Sequence, residues 1–504
     1  MNRKQQLYFV FVFAVLLAGR LCIAGSGYLE DPDEFLFIWM HTNFAGFTHL
    51  STWCRAVTEM QGQPPEIATR LLQYITLLPV SSITGMQMLS AGMLCFMGFY
   101  NILVSLLLLY VFFKVLLKLD FSTELAFTGV LLLGTLFNMN MYTRHILPYD
   151  QALLFQLLSL NLLLRKEPAP RDILLAGLLS AIGLTNYLGC FMFIFINGGF
   201  VLLSNYNIPA KAIKNTLLFI TPFMLLVLSY EAVMHTQGES YIGFISKYSK
   251  TIESEGSPDE GLYFIFLYFY LVEKWWGILL LLMSGTGAYL IFKKSEPANI
   301  RLLLVLGIIA YVTFGAYVFF FHHMVFEGRV LHIYYPFVVI GALGLLQRQK
   351  LAPAKTVMAI IVIFTCVNYA FVIKDFNSIG YPRNSVYKYH LFEEKGKTDF
   401  TYYEEMTRAL HYYKRAKYYI DSVGTPILPE GHYVLTNICF MAHFPDSVLQ
   451  GYRPWHNLPG DSIVFEQLHF QSHPAYALEY CSTYGRDFYT KNKLKIRVVK
   501  SGQP

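Results

Sequence analysis

The sequence predicts a polytopic α-helical membrane protein of about eleven transmembrane helices, followed by a small extracytoplasmic α/β domain. Three observations predict it. Of 504 residues, 55% are hydrophobic and only 14% charged, with mean hydropathy +0.42, too apolar for a soluble chain of this length. Apolar runs near the roughly 20 residues needed to cross a bilayer core recur through the first three quarters of the chain. Beyond Val372 the composition turns to Tyr, His, Pro and charge, with no further run of that kind.

The expected spans lie near 7–24, 88–113, 123–141, 150–164, 172–184, 186–204, 213–234, 275–292, 301–321, 330–346 and 356–373. With a cytoplasmic N-terminus, fifteen of the twenty-three Lys and Arg before residue 374 fall on the cytoplasmic side. That asymmetry sets topology, and it places every acidic loop and the C-terminal part outside. The opening segment Met1–Ile23 also reads as a signal peptide, with a basic start, an apolar core and a cleavage site near Ala24-Gly25-Ser26. Cleavage there would leave ten spans and the same orientation for the rest.

The net charge of +6 is largely the cytoplasmic Lys/Arg excess, so no nucleic-acid partner is expected. The first 373 residues form the expected transmembrane catalytic domain, and 374–504, about 130 residues, form the second domain, an ordinary size for one. In it Tyr402–Ser422 has helical periodicity, His432–Thr436 and Ser462–Phe465 read as short strands, and Lys493–Lys500 alternates as an edge strand would. The seven cysteines show no CxxC spacing; only Cys439 and Cys481, both expected outside, are placed to pair in an oxidising compartment, and two free buried thiols explain them equally well.

Chemistry is expected in the outward loops. The first, 25–87, opens with Tyr28-Leu-Glu-Asp-Pro-Asp-Glu-Phe35, four carboxylates within five positions beside a membrane span. Ionisable groups there are costly to desolvate, and so mark a functional site. Helix capping accounts for part of the cluster: Asp31 suits an N-cap, Pro32 the first helical position and Glu34 the third. Glu30 and Asp33 are left over.

The return Asn138–Asp150 sets Arg144, His145 and Asp150 near the same face, where snorkelling and capping are the plain alternative. The return Phe321–Val330 carries His322, His323, Glu327 and Arg329. No further ligand accompanies the two histidines and the glutamate, so no metal and no cofactor is expected. The loop 235–262, with Lys247 and Lys250, reads either as a mobile cover or as a solvated connector.

Four segments then carry a family resemblance: the acidic Asp33-Glu34; Thr143-Arg-His-Ile-Leu-Pro-Tyr-Asp-Gln-Ala-Leu-Leu154; Gly183-Leu-Thr-Asn-Tyr-Leu188; and Glu327-Gly-Arg-Val-Leu-His-Ile-Tyr-Tyr-Pro336. In order, spacing and side of the membrane, the chain resembles the GT-C glycosyltransferases. Within them it is most similar to the bacterial polyprenyl-phosphate-sugar transferases related to protein O-mannosyltransferases and lipid A aminoarabinose transferase. Asp31-Pro-Asp-Glu34 also resembles the His-Pro-Asp-Glu of GPI-anchor mannosyltransferases, with Asp where they have His. Relatives commonly carry Lys-Pro-Pro or Arg-Pro-Pro late in the first loop, where this chain has Arg70-Leu-Leu-Gln73. The likeness covers most of 7–373 and not the tail.

The resemblance implies transfer of a sugar from a polyprenyl-phosphate-linked donor to an envelope hydroxyl of a lipid, polysaccharide or protein, at the outer face of a bacterial inner membrane. A base must take the acceptor's proton, and cations must meet the phosphate whose charge grows as the glycosidic bond breaks. Asp33 is expected as base with Glu34 second, Arg329, Arg144, Arg70 and Lys247 at the phosphate, and Asp31, Asp150 and His145 in support of the acceptor. Direct displacement would invert the anomeric centre. The rival classes are a transporter or flippase of lipid-linked saccharides, an O-antigen ligase or polymerase, and a membrane scaffold; paired halves and charged or broken helices at the midplane would mark the transporter, and the sequence shows neither clearly.

Overall fold

The structure, a computed structural model, describes residues 3–24, 83–84, 91–144, 148–243, 261–293, 298–321, 328–348 and 354–378, and in the tail 400–402, 433–435, 460, 462–470, 475 and 494–500. Helices α1 (Arg3–Ala24), α2 (Ala91–Lys118), α3 (Thr123–Gly134), α4 (Phe137–Arg144) and α5 (Tyr149–Leu163) come first. They are followed by α6 (Pro170–Asn186), α7 (Phe191–Leu203), α8 (Pro209–His235), α9 (Phe264–Leu271) and α10 (Lys274–Lys293). Last come α11 (Ala298–Phe321), α12 (Gly328–Leu331), α13 (Tyr335–Arg348) and α14 (Ala354–Ser378).

Among the described residues, seven helical segments are long and apolar enough to cross a membrane, or up to eight when the bent pair α3–α4 is taken as one. This supports a multi-pass helical membrane protein. The expected number of eleven is not established by helix length: α5, α6 and α7 have 15, 17 and 13 residues. At 1.5 Å per residue they reach only about 20–26 Å, less than a bilayer core of about 30 Å. Side chains such as Leu217, Leu225 and Leu228 on α8 are exposed, as a lipid-facing surface requires.

Packing is closest where small residues meet. A Cβ placed on Gly287 of α10 would lie 2.0 Å from the Gly341 carbonyl oxygen of α13, so the two backbones touch. Such contact replaces the hydrophobic drive that helices in lipid lack. The turn from α5 to α6 is tied by Arg165 and Asp172, 2.6 Å apart, with the second Asp172 oxygen accepting the Ala169 N–H at 3.1 Å and Pro170 opening the helix.

The span expected at 123–141 is broken. Helix α3 ends at Gly134, α4 begins at Phe137, and the two are bent by 66°. A break in a membrane helix frees backbone groups that lipid cannot satisfy, and here side chains take them up. Glu273, buried in the turn between α9 and α10, accepts the N–H groups of Phe137 at 2.8 Å and Asn138 at 3.0 Å, capping α4. Its Oε1 also accepts the Tyr335 hydroxyl at 3.1 Å. On the other side of the break the Gly134 carbonyl accepts from Asn140 Nδ2 at 3.0 Å and from Arg20 Nη1 at 3.3 Å. Arg20, fully buried in α1, donates from Nε to Ser105 of α2 at 3.1 Å.

The helical unit ends at Ile373, and a second unit holds Lys374 onward. The latter contains a four-stranded sheet, β1 (Phe400–Tyr402), β2 (Tyr433–Leu435), β3 (Ser462–Phe470) and β4 (Leu494–Lys500), in the order β1-β2-β4-β3. Strand β4, expected at an edge, lies between two others: Val499 pairs with Val434 on one side and Ile463 on the other, both antiparallel. Its alternation marks one polar face, which an antiparallel sheet shows in inner strands as readily as at an edge. Tyr402 lies in a strand rather than opening a helix, and 403–422 fall outside the described residues.

The capping role of Glu273 predicts that Glu273→Ala, which orphans the two buried backbone donors of Phe137 and Asn138, costs about 1–3 kcal/mol for each of them. Glu273→Gln, keeping one carbonyl acceptor, should cost less. Unfolding of the purified variants in detergent measures both, and equal midpoints for wild type and Glu273→Ala would contradict the cap.

Candidate functional site

Helix α4 is only eight residues long, yet it holds Asn138, Asn140 and Thr143, all fully buried. It ends within a few residues of the start of α5, so Asp150, in the first turn of α5, faces back onto it. The third partner arrives from far along the chain. His332 stands in the 3₁₀ turn between α12 and α13, and its Nε2 lies 2.9 Å from Asp150 Oδ1, with both side chains at most 4% exposed. The approach is off-line for a hydrogen bond, and among the described residues neither atom has another partner. Asp150 Oδ2 accepts a long bond from Thr143 at 3.5 Å.

Around this pair the contacts are aromatic. The Tyr142 ring meets the His332 ring edge-on at 4.8 Å and the Tyr149 ring at 4.7 Å, and Tyr149 meets Tyr187 at 4.7 Å. This ladder packs against the pair. Arg329, half-buried in α12, donates from Nη1 to the Tyr149 hydroxyl at 3.2 Å. The first turn of α5 is therefore met at Tyr149 by Arg329 of α12 and at Asp150 by His332 of the 3₁₀ turn that follows it.

The remote side of His332 is polar as well. Asn138 Nδ2 lies 3.4 Å from His332 Nδ1, and Asn138 Oδ1 accepts the Tyr268 hydroxyl at 2.7 Å. The backbone N–H of the same Asn138 is one of the two that Glu273 holds. A continuous polar track thus links Glu273, Asn138, His332 and Asp150, and Thr143 carries it on to Ser105 at 3.3 Å. Ionisable side chains buried among apolar helices are expensive and mark function.

Of the residues expected at the site, the structure brings Asp150 and Arg329 into one neighbourhood. Arg144 closes α4, and nothing beyond its backbone is described. Asp31, Asp33, Glu34, Arg70, His145 and Lys247 lie outside the described residues, as do His322, His323, Glu327, Cys439 and Cys481. Among the described residues no cluster of three or more His, Cys, Asp or Glu has metal-holding geometry. Sequence reasoning passed over His332, Asn138, Tyr149, Tyr268 and Glu273. Three of the five, His332, Asn138 and Tyr149, sat in the quoted segments; Tyr268 lay outside them, and Glu273, a carboxylate between two apolar runs, carried the same signal as the acidic loop.

No protein-family model matches this chain, and no curated protein matches it.

The pair predicts strong thermodynamic coupling. His332→Leu alone leaves a buried carboxylate without its partner and should cost about 3–5 kcal/mol, whereas replacing both with Asp150→Leu and His332→Leu should cost less than the sum. A double-mutant cycle on unfolding in detergent reads the difference, and additive losses would show that the two groups do not interact.

Proposed function

We propose that the protein is a membrane glycosyltransferase that moves a sugar from a polyprenyl-phosphate donor to a hydroxyl of an envelope lipid, polysaccharide or protein, with inversion. What carries the reading is the meeting of Arg329, Tyr149, Asp150 and His332 where α5 begins and α12 gives way to the 3₁₀ turn. A donor whose lipid tail cannot leave the bilayer presents its phosphate at such a boundary. Arginine, half-buried and steadied by a tyrosine hydroxyl, suits that phosphate because its planar fork binds two oxygens at once. Asp33, with Glu34 second, remains the proposed base, and Arg144, Arg70 and Lys247 the further phosphate ligands. Asp31, Asp150 and His145 support the acceptor.

A second reading, carriage of a lipid-linked saccharide across the bilayer, draws on the bent span α3–α4 and the buried Arg20 and Glu273 beside it. In a transporter such groups line a path that opens to both faces. Here they are occupied in capping the break, which favours the enzyme.

The chemistry is tested by complementing a deletion strain and measuring lipid-linked sugars by mass spectrometry, with protein abundance checked. Asp33→Asn should accumulate donor through a rate loss of about 10²–10⁴-fold. Asp31→Asn should be mild, since Asn caps a helix about as well as Asp. Arg329→Lys, which keeps the charge and loses the fork, should impair transfer well beyond Lys247→Ala. Abundant, active Asp33→Asn removes Asp33 as base, and native behaviour of Arg329→Lys misplaces the phosphate.

The same reading requires the acidic loop and the tail to share a face. A reporter fused after Val372 should be active outside the cytoplasm and one fused within Arg165–Arg171 inside it. A cytoplasmic tail would overturn the arrangement.

A further inference from the structure

We propose that Tyr268, Asn138 and His332 form a one-way hydrogen-bond chain that fixes His332 as the neutral tautomer protonated on Nε2, and that this sets its single N–H beside the Asp150 carboxyl, 2.9 Å from Oδ1, where that carboxyl meets the acceptor. The proposal rests on the glycosyltransferase reading for its last step only. The direction of the chain follows from distances. Tyr268 Oη and Asn138 Oδ1 are 2.7 Å apart, the usual separation for O–H···O and short for an amide N–H at that place. The tyrosine therefore donates and the asparagine carbonyl accepts. The asparagine amide is then turned toward His332 Nδ1, 3.4 Å away, which must offer a lone pair. An imidazole that accepts at Nδ1 carries its proton on Nε2, 2.9 Å from Asp150 Oδ1.

Among the described residues, no charged group other than Asp150 has a contact with the imidazole. From α4 it meets the Tyr142 ring and Asn138, from α5 Asp150, and Asn138 is itself pinned by its backbone N–H to Glu273. The imbalance at Asp150 is the useful feature. Its side chain is 4% exposed, its Oδ2 has only the 3.5 Å contact from Thr143, and its Oδ1 has no well-directed hydrogen bond among the described residues. A buried carboxylate so weakly satisfied is an acceptor waiting for a donor. An acceptor hydroxyl arriving beside Arg329 meets the Asp150 carboxyl, whose Oδ1 the His332 Nε2 flanks at 2.9 Å. Asp150 is the group that touches substrate; His332, Asn138 and Tyr268 are positioning residues.

The test separates the chain from the reaction. Nitrogen-15 spectra of imidazole-labelled full-length protein in lipid bilayers, with His332→Gln identifying the His332 signals by difference, report the tautomer directly. The wild type should show a neutral ring protonated on Nε2. Asn138→Asp, whose carboxylate accepts from both neighbours, should convert it to an imidazolium. A wild-type imidazolium, or a ring protonated on Nδ1, overturns the chain whatever the sugar-transfer result.

In the deletion-strain assay His332→Leu should lower transfer about 10- to 100-fold, the usual loss when a supporting hydrogen bond to a functional group is removed. His332→Gln, whose side-chain amide can place an N–H near the position of Nε2, should restore most of it at equal abundance. If His332→Gln and His332→Leu are equally impaired or equally active, Asp150 is not positioned through this N–H. If the spectra are as expected but the deletion strain shows no change in lipid-linked sugars or their transfer, the chain stands and the glycosyltransferase reading falls.

Discussion

A membrane helix that stops halfway must find partners for the backbone groups it leaves open, and that constraint organises this protein. Between Gly134 and Phe137 the hydrogen-bond ladder is interrupted and the chain turns by 66°. In hydrocarbon each unsatisfied group costs several kcal/mol, so the break exists only because Glu273, Arg20 and Asn140 meet it from elsewhere. These three partners come from separate helical segments, which binds α1, the α9–α10 turn and α4 to a common point. Tyr369 extends the arrangement by donating to Asn140 Oδ1 at 3.1 Å. The position of α4, and with it of Asn138 and Thr143, follows from this.

The same capping explains why a strongly polar site is affordable here. Buried charge is destabilising unless paired and hydrogen-bonded, and most of the polar atoms near α4 already serve the fold. Asp150 and His332 are different: they are as buried as the caps, yet the only contact of good distance between them is off-line. A pair that is costly to bury and whose polar atoms are not satisfied by each other is the kind retained for work on a ligand. Its situation at helix ends, beside a half-buried arginine, suits a substrate that is part lipid and part polar.

Much of the architecture was legible from local pattern. Apolar runs of membrane length name the helices because hydrocarbon admits little else; three strands of the tail were marked by alternation and β-branched residues. The errors are equally physical. Alternation along Lys493–Lys500 tells which side chains share a face but not how many neighbours the strand has, and β4 proved to have two. The run 123–141 is apolar for most of its length, and the bend within it depends on a carboxylate more than a hundred residues away, which no local pattern shows.

The sequence by itself determined that this is a multi-pass helical membrane protein with a polar tail, and it drew attention to the segments that hold Asp150 and Arg329. Composition and periodicity are summed over neighbours in the chain, and neighbours suffice to decide what enters a bilayer. Only the tertiary structure decided that Asp150 meets His332, that Asn138 and Tyr268 stand behind it, and that Glu273 is a cap. Those contacts join residues separated by more than 100 positions. Their energy depends on burial and direction, and neither exists until the helices have packed.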